Sequence, residues 1–164
     1  MIDAIYRRRA EQLARPIAVD AADRVPVLIV TLGAIDFGVQ VSALAEVLPY
    51  RGCTPVNGEP AALIGVLNVR GDIRSVVDLA RLLDVPAGGG EHGYIVMTRT
   101  RDGFVALRVD TVGDIRYIEA SRLNASADRP ARFIKVMLDG DRESGGMVRV
   151  VDVDVVLAAL GVAD

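Results

Sequence analysis

The chain has 164 residues, of which 51% are hydrophobic, and a formal net charge of −3. This size and apolar content suit one domain or two intimate subdomains with a buried core, and the dispersed charges argue against a basic surface for nucleic acid or anionic membrane. A single cysteine, Cys53, excludes an internal disulfide and suits a reducing compartment.

The first predicted element is an amphipathic helix over residues 2–14. Four apolar residues fall roughly on one face of it: Ile2, Ile5, Tyr6 and Leu13. The segment 1–15 is too charged for a signal peptide, and the longest apolar runs, such as 25–30, fall short of a membrane span. We therefore expect a cytoplasmic protein, with a helix and connector at 1–20 and the main domain at 21–164.

Two strands are predicted next, at about 25–32 and 36–41, joined by a turn that contains Gly33. Ser42 then initiates a helical or extended turn that carries Leu44 and Val47. A loop rich in proline and glycine follows before the most informative part of the chain.

Residues 65–83 alternate between apolar and other residues, which predicts a half-buried strand, and the alternation is interrupted at Asn68, Arg70 and Gly71. The interruption predicts a tight reversal into a second strand at 73–77. Gly71 can take a positive φ without steric cost, and the Asn68 side chain can close the turn. Arg70 is then held on a rigid scaffold, where a guanidinium suits a carboxylate on another protein.

The remaining elements are short. Asp78 is expected to cap a helix at 79–83, and Asp152 a helix at 153–160. Between these helices the pattern predicts five strands, at about 94–100, 103–109, 114–119, 133–138 and 147–152. So many short strands with regular turns favour small β-barrels over an α/β sheet.

The two halves of the chain also resemble each other. Four apolar residues of the first half recur in order in the second at an offset of about 68, and residues 76–79 match 150–153 at about 74. A duplicated unit predicts two similar barrels related by a pseudo-twofold axis. We expect nine aliphatic residues to be buried: Val39, Val41, Leu63, Val66, Val76, Leu107, Val109, Val136 and Val151.

Residues that could support catalysis are scarce. With one histidine, His92, and one cysteine there is no zinc ligand set, no Cys/His pair and no Ser-His-Asp arrangement. Four aspartates could suggest a metal site, but we interpret Asp152 as a helix cap and Asp110, Asp114 and Asp154 as solvated. We therefore expect no catalytic residue, no metal and no cofactor.

The block at 65–83 resembles the signature of the CheW family, the adaptors that couple bacterial chemoreceptors to the CheA histidine kinase. Further segments resemble the family in the same order: 39–41, 44–49, 107–115 and 150–153. Together they cover roughly residues 25–160. Ser75 stands where the family usually carries proline, and about the first twenty residues lie outside the resemblance.

The resemblance implies a mainly β fold of two interlocked five-stranded barrels, roughly 25–87 and 93–155, with a closing helix at 153–161. It also implies a non-catalytic adaptor that is recruited to membrane receptor arrays. One surface would bind the regulatory domain of a CheA-type kinase, barrel against barrel. The other would receive the cytoplasmic helical tip of a chemoreceptor in a groove near the junction of the barrels.

The same resemblance implies that Arg70 and Glu46 take part in partner binding. The other expected members of this site are Leu44, Val47, Leu48, Tyr50 and Asn68, with Gly65 and Gly71 shaping the turn. An alternative interpretation makes Arg70 a turn residue in a weak surface ion pair and Glu46 a helix-surface acid.

Three other functions stay open from the sequence. The chain could be an adaptor of a kinase pathway outside chemotaxis, such as pilus or developmental control. It could be a small-molecule-binding β-barrel regulator, which would need an apolar cavity with converging polar groups. It could be an enzyme, which would need a catalytic cluster that the sequence does not offer.

Overall fold

The structure is a computed structural model that describes residues 23–86, 88, 90–124, 130–140 and 145–161. The predicted helix at 2–14 lies outside the described residues. The described part begins with five strands: β1 (Arg24–Leu32), β2 (Ile35–Gln40), β3 (Leu44–Tyr50), β4 (Thr54–Pro55) and β5 (Leu63–Val69). Six more follow: β6 (Asp72–Asp78), β7 (Gly93–Thr100), β8 (Gly103–Val109), β9 (Thr111–Glu119), β10 (Ile134–Asp139) and β11 (Met147–Val151).

Three short helices complete the described elements: α1 (Leu79–Leu83), α2 (Ala120–Asn124) and α3 (Val153–Ala159). The Asp78 carboxylate accepts a hydrogen bond of 3.2 Å from the Arg81 N–H at the start of α1. Asp152 does the same for α3, accepting from the Val155 N–H at 3.3 Å. Both predicted caps are confirmed. Within the described residues no helix is long and apolar enough to cross a membrane.

The tight reversal between β5 and β6 is also confirmed. Arg70 and Gly71 both have positive φ, 53° and 93°, as a two-residue hairpin loop requires when its twist matches the flanking strands. The Asn68 side-chain oxygen accepts the Gly71 N–H at 2.8 Å. The sequence after Ser42 is compatible with a helical or an extended turn, and the structure gives a 3₁₀ turn (Val41–Ala43) followed by strand β3. Glu46 therefore lies on a strand rather than on a helix.

The eleven strands form two sheets, ordered β10-β11-β2-β1-β9 and β3-β7-β8-β6-β5-β4. Each sheet contains one parallel pair that joins distant parts of the chain: β2 with β11, where Asp36 lies opposite Val148, and β6 with β8, where Val76 lies opposite Ala106. The first sheet takes strands from both halves of the sequence. The ranges 25–87 and 93–155 therefore describe halves of the sequence rather than the membership of the sheets.

The described residues form three core clusters. The central one combines β1 and β2 of the first sheet with β6, β7 and β8 of the second, so it lies between the sheets. A second cluster belongs to the first sheet and includes Ile29, Leu138 and Val148. A third belongs to the second sheet and includes Tyr50 and Ile95. Both faces of β1 are consequently buried, Leu28 in the central cluster and Ile29 in the first-sheet cluster.

Five of the nine aliphatic residues expected in the core are buried: Val39, Val76, Leu107, Val109 and Val151. The other four are only half buried, which corrects the expectation: Val41, Leu63, Val66 and Val136. Their positions explain the difference in two cases. Val41 begins the 3₁₀ turn, and Val66 pairs with Thr54 of the two-residue edge strand β4, which covers little of it.

Candidate partner-binding site

Arg70 and Glu46 come together in the structure. Glu46 lies on β3, at one edge of the second sheet, and Arg70 lies in the β5–β6 turn near the other edge. Their side chains nevertheless form two hydrogen bonds, Nη1 to Oε1 at 2.7 Å and Nη2 to Oε2 at 2.8 Å. The second sheet must therefore curl until β3 faces β5. These two strands do not pair with each other, and side chains close the gap between them.

This ion pair is exposed. The side-chain exposure is 71% for Arg70 and 31% for Glu46. The hydrogen bonds from Arg70 lower the pKa of the Glu46 carboxyl, and Glu46 raises the pKa of Arg70. A planar guanidinium and a carboxylate matched in this way fix each other's orientation, so both charges are held in place at the surface.

An apolar hollow of about 370 Å³ lies beside the ion pair, between β3 and β5. Its lining combines apolar and polar side chains: Leu48, Pro49, Arg51, Leu67, Asn68, Val69 and Arg70. Leu67 and Val69 were not identified from the sequence, although their spacing on either side of Asn68 places them on one face of the strand. An apolar hollow with fixed charges at its edge is suited to binding an apolar side chain of another protein.

The other members of the expected site on β3 differ in exposure. Val47 is 40% exposed and points outward, whereas Leu48 is half buried against the second-sheet cluster. Leu44 is half buried against the central cluster between the sheets. The three residues therefore lie in different places. Val47 is on the outer surface, Leu44 is at the junction of the sheets and Leu48 lines the hollow.

Tyr50 is a core residue, which corrects the expectation that it faces a partner. Its side chain is only 8% exposed. The hydroxyl lies 3.4 Å from the Cys53 Sγ, and the Arg108 guanidinium lies 5.5 Å from the ring centroid. Burial, together with the hydrogen bond to Cys53, raises the pKa of Tyr50 to about 12. The ring stabilises the interior of the second sheet and is not part of the exposed site.

The two glycines of the expected site have different roles. Gly71 occupies the positive-φ turn position, and a Cβ there would meet no atom within 4 Å. Gly65 lies inside β5 rather than at a turn, which corrects its assignment as a turn residue. A Cβ on Gly65 would overlap the Thr54 carbonyl oxygen and lie 2.6 Å from the Cys53 Sγ. Gly65 is therefore required for the close approach of β4 to β5.

A second exposed apolar surface lies on β9. Ile115 is 49% exposed and Tyr117 66% exposed. They lie opposite Leu28 and Pro26 of β1, and because residues directly opposite share a face of the sheet, they point to the side of the central cluster. β9 is an edge strand of the first sheet and also contacts β7 of the second. Tyr117 was not predicted to belong to a site, although an aromatic residue on an edge strand is a recognisable signal.

No cluster of three or more His, Cys, Asp or Glu side chains that could hold a metal ion exists among the described residues. The buried Arg108 contacts both Asp78 and Asp110, so Asp110 is not solvated as the sequence suggested. In the described part of the chain, the arrangement is suited to binding a protein surface.

Comparisons with known proteins identify a family. A family model described as CheW-like domain matches residues 26–160. Chemotaxis protein CheW of Rhizobium meliloti is 27% identical over 125 residues, which span 75% of this chain and 81% of that protein. Probable chemotaxis protein CheW of Rhizobium etli is 32% identical over 85 residues, 51% of this chain, and the match spans about half (55%) of that relative.

A solved structure is also similar. The crystal structure of scaffolding protein TtCheW from Thermoanaerobacter tengcongensis matches with a TM-score of 0.68, covering 79% of this chain and 89% of that chain at 18% identity. An identity this low shows the fold alone. The predicted fold class, mainly β with two small barrel-like units, is confirmed.

Proposed function

The chain belongs to the CheW family of chemotaxis coupling adaptors, and we propose that it joins chemoreceptors to a CheA-type histidine kinase without catalysing a reaction itself. The observation that carries the proposal is the ion pair of Arg70 and Glu46, exposed and fixed beside an apolar hollow. The proposal includes a cytoplasmic location and recruitment to membrane receptor arrays.

We assign the kinase regulatory domain to the end of the second sheet that carries the β5–β6 hairpin. The hollow between β3 and β5 offers Leu67 and Val69. Ile73 on β6 is 64% exposed and lies opposite Asn68, on the other face of the same hairpin. Arg70 and Glu46 lie at the edge of this apolar area. Apolar contacts there would supply affinity, while the two fixed charges would select the orientation of the partner.

We assign the helical tip of a chemoreceptor to the junction of the two sheets. Ile115 and Tyr117 form the exposed apolar part of this surface on β9. β9 contacts β7, which pairs with β3, and Leu44 at the start of β3 packs on the central cluster. An amphipathic helix laid along the junction would bury its apolar face against these residues.

The test is a binding experiment with the purified chain, a kinase regulatory domain and a receptor-tip fragment. Two separate surfaces predict that both partners bind at once. Ile73→Asp should weaken kinase binding and leave receptor binding unchanged, and Tyr117→Asp should do the reverse. Each variant is the control for the other, because both place a charge on an exposed strand position. Failure of the unmodified chain to bind either partner would contradict the adaptor function.

The structure offers less support for a small-molecule regulator. A hollow of about 1090 Å³ beside α1 is lined in part by Arg108 and Asp78. The Arg108 guanidinium donates to Asp110 at 3.2 Å and to the carbonyl oxygens of Gly90 and His92 at 2.6 and 3.1 Å. Because these donors already serve the fold, the polar groups of the hollow are better explained by structure than by ligand recognition.

A further inference from the structure

The chain passes from the second sheet to the first at a single residue, Asp110. Val109 is the last residue of β8 in the second sheet, and Thr111 is the first residue of β9 in the first sheet. The Asp110 N–H also donates to the Thr31 carbonyl oxygen of β1 at 3.2 Å. The backbone at this crossing is therefore attached to both sheets, and the position of β9 relative to the second sheet depends on it.

The Asp110 carboxylate joins three parts of the chain. Its Oδ2 accepts the Gly33 N–H of the β1–β2 turn at 2.6 Å and the Gly88 N–H of the connection between α1 and β7 at 2.8 Å. Its Oδ1 accepts a hydrogen bond from the Arg108 Nη1 at 3.2 Å. The side chain is only 14% exposed. Because hydrogen bonds to an ionised carboxylate are short and strong, they hold a turn of the first sheet and a connection of the second in one arrangement.

The connection between α1 and β7 fits closely around this carboxylate. A Cβ on Gly88 would lie 2.9 Å from the Asp110 Oδ2, closer than a real Cβ approaches another atom. Arg108 holds the same connection farther along, because its Nη2 donates to the carbonyl oxygens of Gly90 at 2.6 Å and His92 at 3.1 Å. The absence of a side chain at position 88 therefore allows the contact with Asp110.

The proposed receptor surface takes residues from both sides of the crossing. Ile115 and Tyr117 lie on β9, the strand that begins just after Asp110, whereas Leu44 lies on β3 of the second sheet. The central cluster packs the two sheets together, but apolar contacts are non-directional. The hydrogen bonds of Asp110 supply directional contacts that specify how β9 is placed relative to the second sheet.

We propose that Asp110 is a positioning residue for the receptor surface: its carboxylate fixes the angle between the two sheets, and with it the spacing between the parts of the surface that each sheet carries. Asp110 acts through this geometry and does not itself contact the receptor helix. The kinase surface belongs to the second sheet alone, so its shape does not depend on the angle. The inference rests on the proposed function for its effect on receptor binding, but not for its effect on the sheets.

The first test measures the distance between the two sheets in the full chain by electron paramagnetic resonance. Nitroxide labels are placed at two exposed strand positions, Met147→Cys on β11 and Ser75→Cys on β6, in a Cys53→Ser background. Asp110→Asn replaces one acceptor oxygen with an NH2 group that must face a donor, so the distance distribution should shift or broaden. Gly88→Ala should have the same effect, because its methyl group separates the connection from the carboxylate.

The second test is titration of the unlabelled variants with the two partners. Asp110→Asn and Gly88→Ala should each weaken binding of the receptor-tip fragment about tenfold and leave binding of the kinase regulatory domain unchanged. A partly unfolded chain would lose both partners. Gly58→Ala is the matched control for Gly88→Ala, because a Cβ at position 58 meets no atom within 4 Å. It should leave the distances and both affinities unchanged.

Two outcomes would overturn the proposal. One is an unchanged distance distribution in both Asp110→Asn and Gly88→Ala, and the other is an equal loss of affinity for both partners. The distances are measured without a partner. Failure of the unmodified chain to bind the receptor fragment would therefore contradict the adaptor function and the receptor part of this inference, whereas the distances decide separately whether Asp110 fixes the angle between the sheets.

Discussion

Glu46 on β3 and Arg70 in the β5–β6 turn are 24 residues apart, yet two hydrogen bonds of 2.7 and 2.8 Å join them across the second sheet. The guanidinium is therefore already bound to a carboxylate before any partner arrives. A partner carboxylate must share Arg70 with Glu46 or displace it, and a partner cation can bind Glu46 in the same way. The pair presents both charges in a fixed order along the edge of the hollow.

Charge reversal can separate a structural ion pair from a recognition pair. Arg70→Glu sets two carboxylates against each other, so partner binding should weaken about thirtyfold if a partner contacts this site. The melting temperature should change little, because exposed ion pairs contribute little to stability. The measurement is a thermal melt together with titration by the kinase domain and the receptor fragment.

The matched control is the exchange variant, Glu46→Arg with Arg70→Glu, which rebuilds the ion pair in the opposite order. It should keep the melting temperature of the unmodified chain without recovering affinity for the kinase domain. If the exchange variant bound the kinase domain normally, the pair would serve only to close the second sheet, and Arg70 and Glu46 would leave the proposed site.

The pKa of Glu46 should report the ion pair directly. Arg70 holds that pKa below the ordinary carboxyl value of 4.5. Because the folded pKa is the lower one, the stabilisation is present above the unfolded pKa and disappears as the pH falls through the folded value. A carboxyl-carbon NMR titration should show the midpoint rising toward the ordinary value in Arg70→Gln. Identical midpoints in the two proteins would mean that the ion pair does not form in solution.

The two glycines of the signature hairpin should respond differently to substitution. Gly71→Val places a β-branched residue at a φ of 93° and should cost about 1–2 kcal/mol of stability through backbone strain. Gly71→Asn should cost less, since asparagine tolerates this region. Gly65→Ala should cost more than Gly71→Ala, because its methyl group overlaps backbone atoms of β4. Urea unfolding of all four variants gives the order, and equal losses at positions 65 and 71 would contradict it.

Local features of the fold could be predicted because the residues that determine them lie close together in sequence. The β5–β6 turn depends on Asn68 and Gly71, three residues apart, and the caps of α1 and α3 each depend on an aspartate at the helix start. Sheet membership could not be predicted in this way. The parallel pairing of β2 with β11 joins residues such as Asp36 and Val148, and no local pattern specifies that contact.

The site was only partly predictable for a related reason. Apolar residues occur on both faces of β3, and the register of its pairing with β7 shifts between Leu44 and Glu46. The sequence therefore does not decide which face is buried, and Tyr50 was assigned to the wrong side. The contact between Arg70 and Glu46 depends on the curling of a six-stranded sheet, which the spacing of two residues cannot reveal.

A buried charge network should contribute more to stability than the exposed pair. The Arg108 side chain is 5% exposed, and its Nη1 lies 3.2 Å from Asp110 and 3.8 Å from Asp78. Asp110 in turn accepts the N–H groups of Gly33 at 2.6 Å and Gly88 at 2.8 Å, which joins the β1–β2 turn to the connection between α1 and β7. The network thus holds parts of both sheets together.

Removing the arginine alone should therefore be costly. Arg108→Met removes the buried cation that contacts two largely buried carboxylates, and we expect a loss of about 3–5 kcal/mol in the free energy of unfolding. Arg81→Met is the matched control, because Arg81 also lies 3.8 Å from Asp78 but its side chain is 64% exposed; that variant should stay within about 0.5 kcal/mol. Urea unfolding measures both. Similar losses in the two variants would show that burial does not distinguish these arginines, and that the contacts of Arg108 with Asp78 and Asp110 contribute little to holding the sheets together.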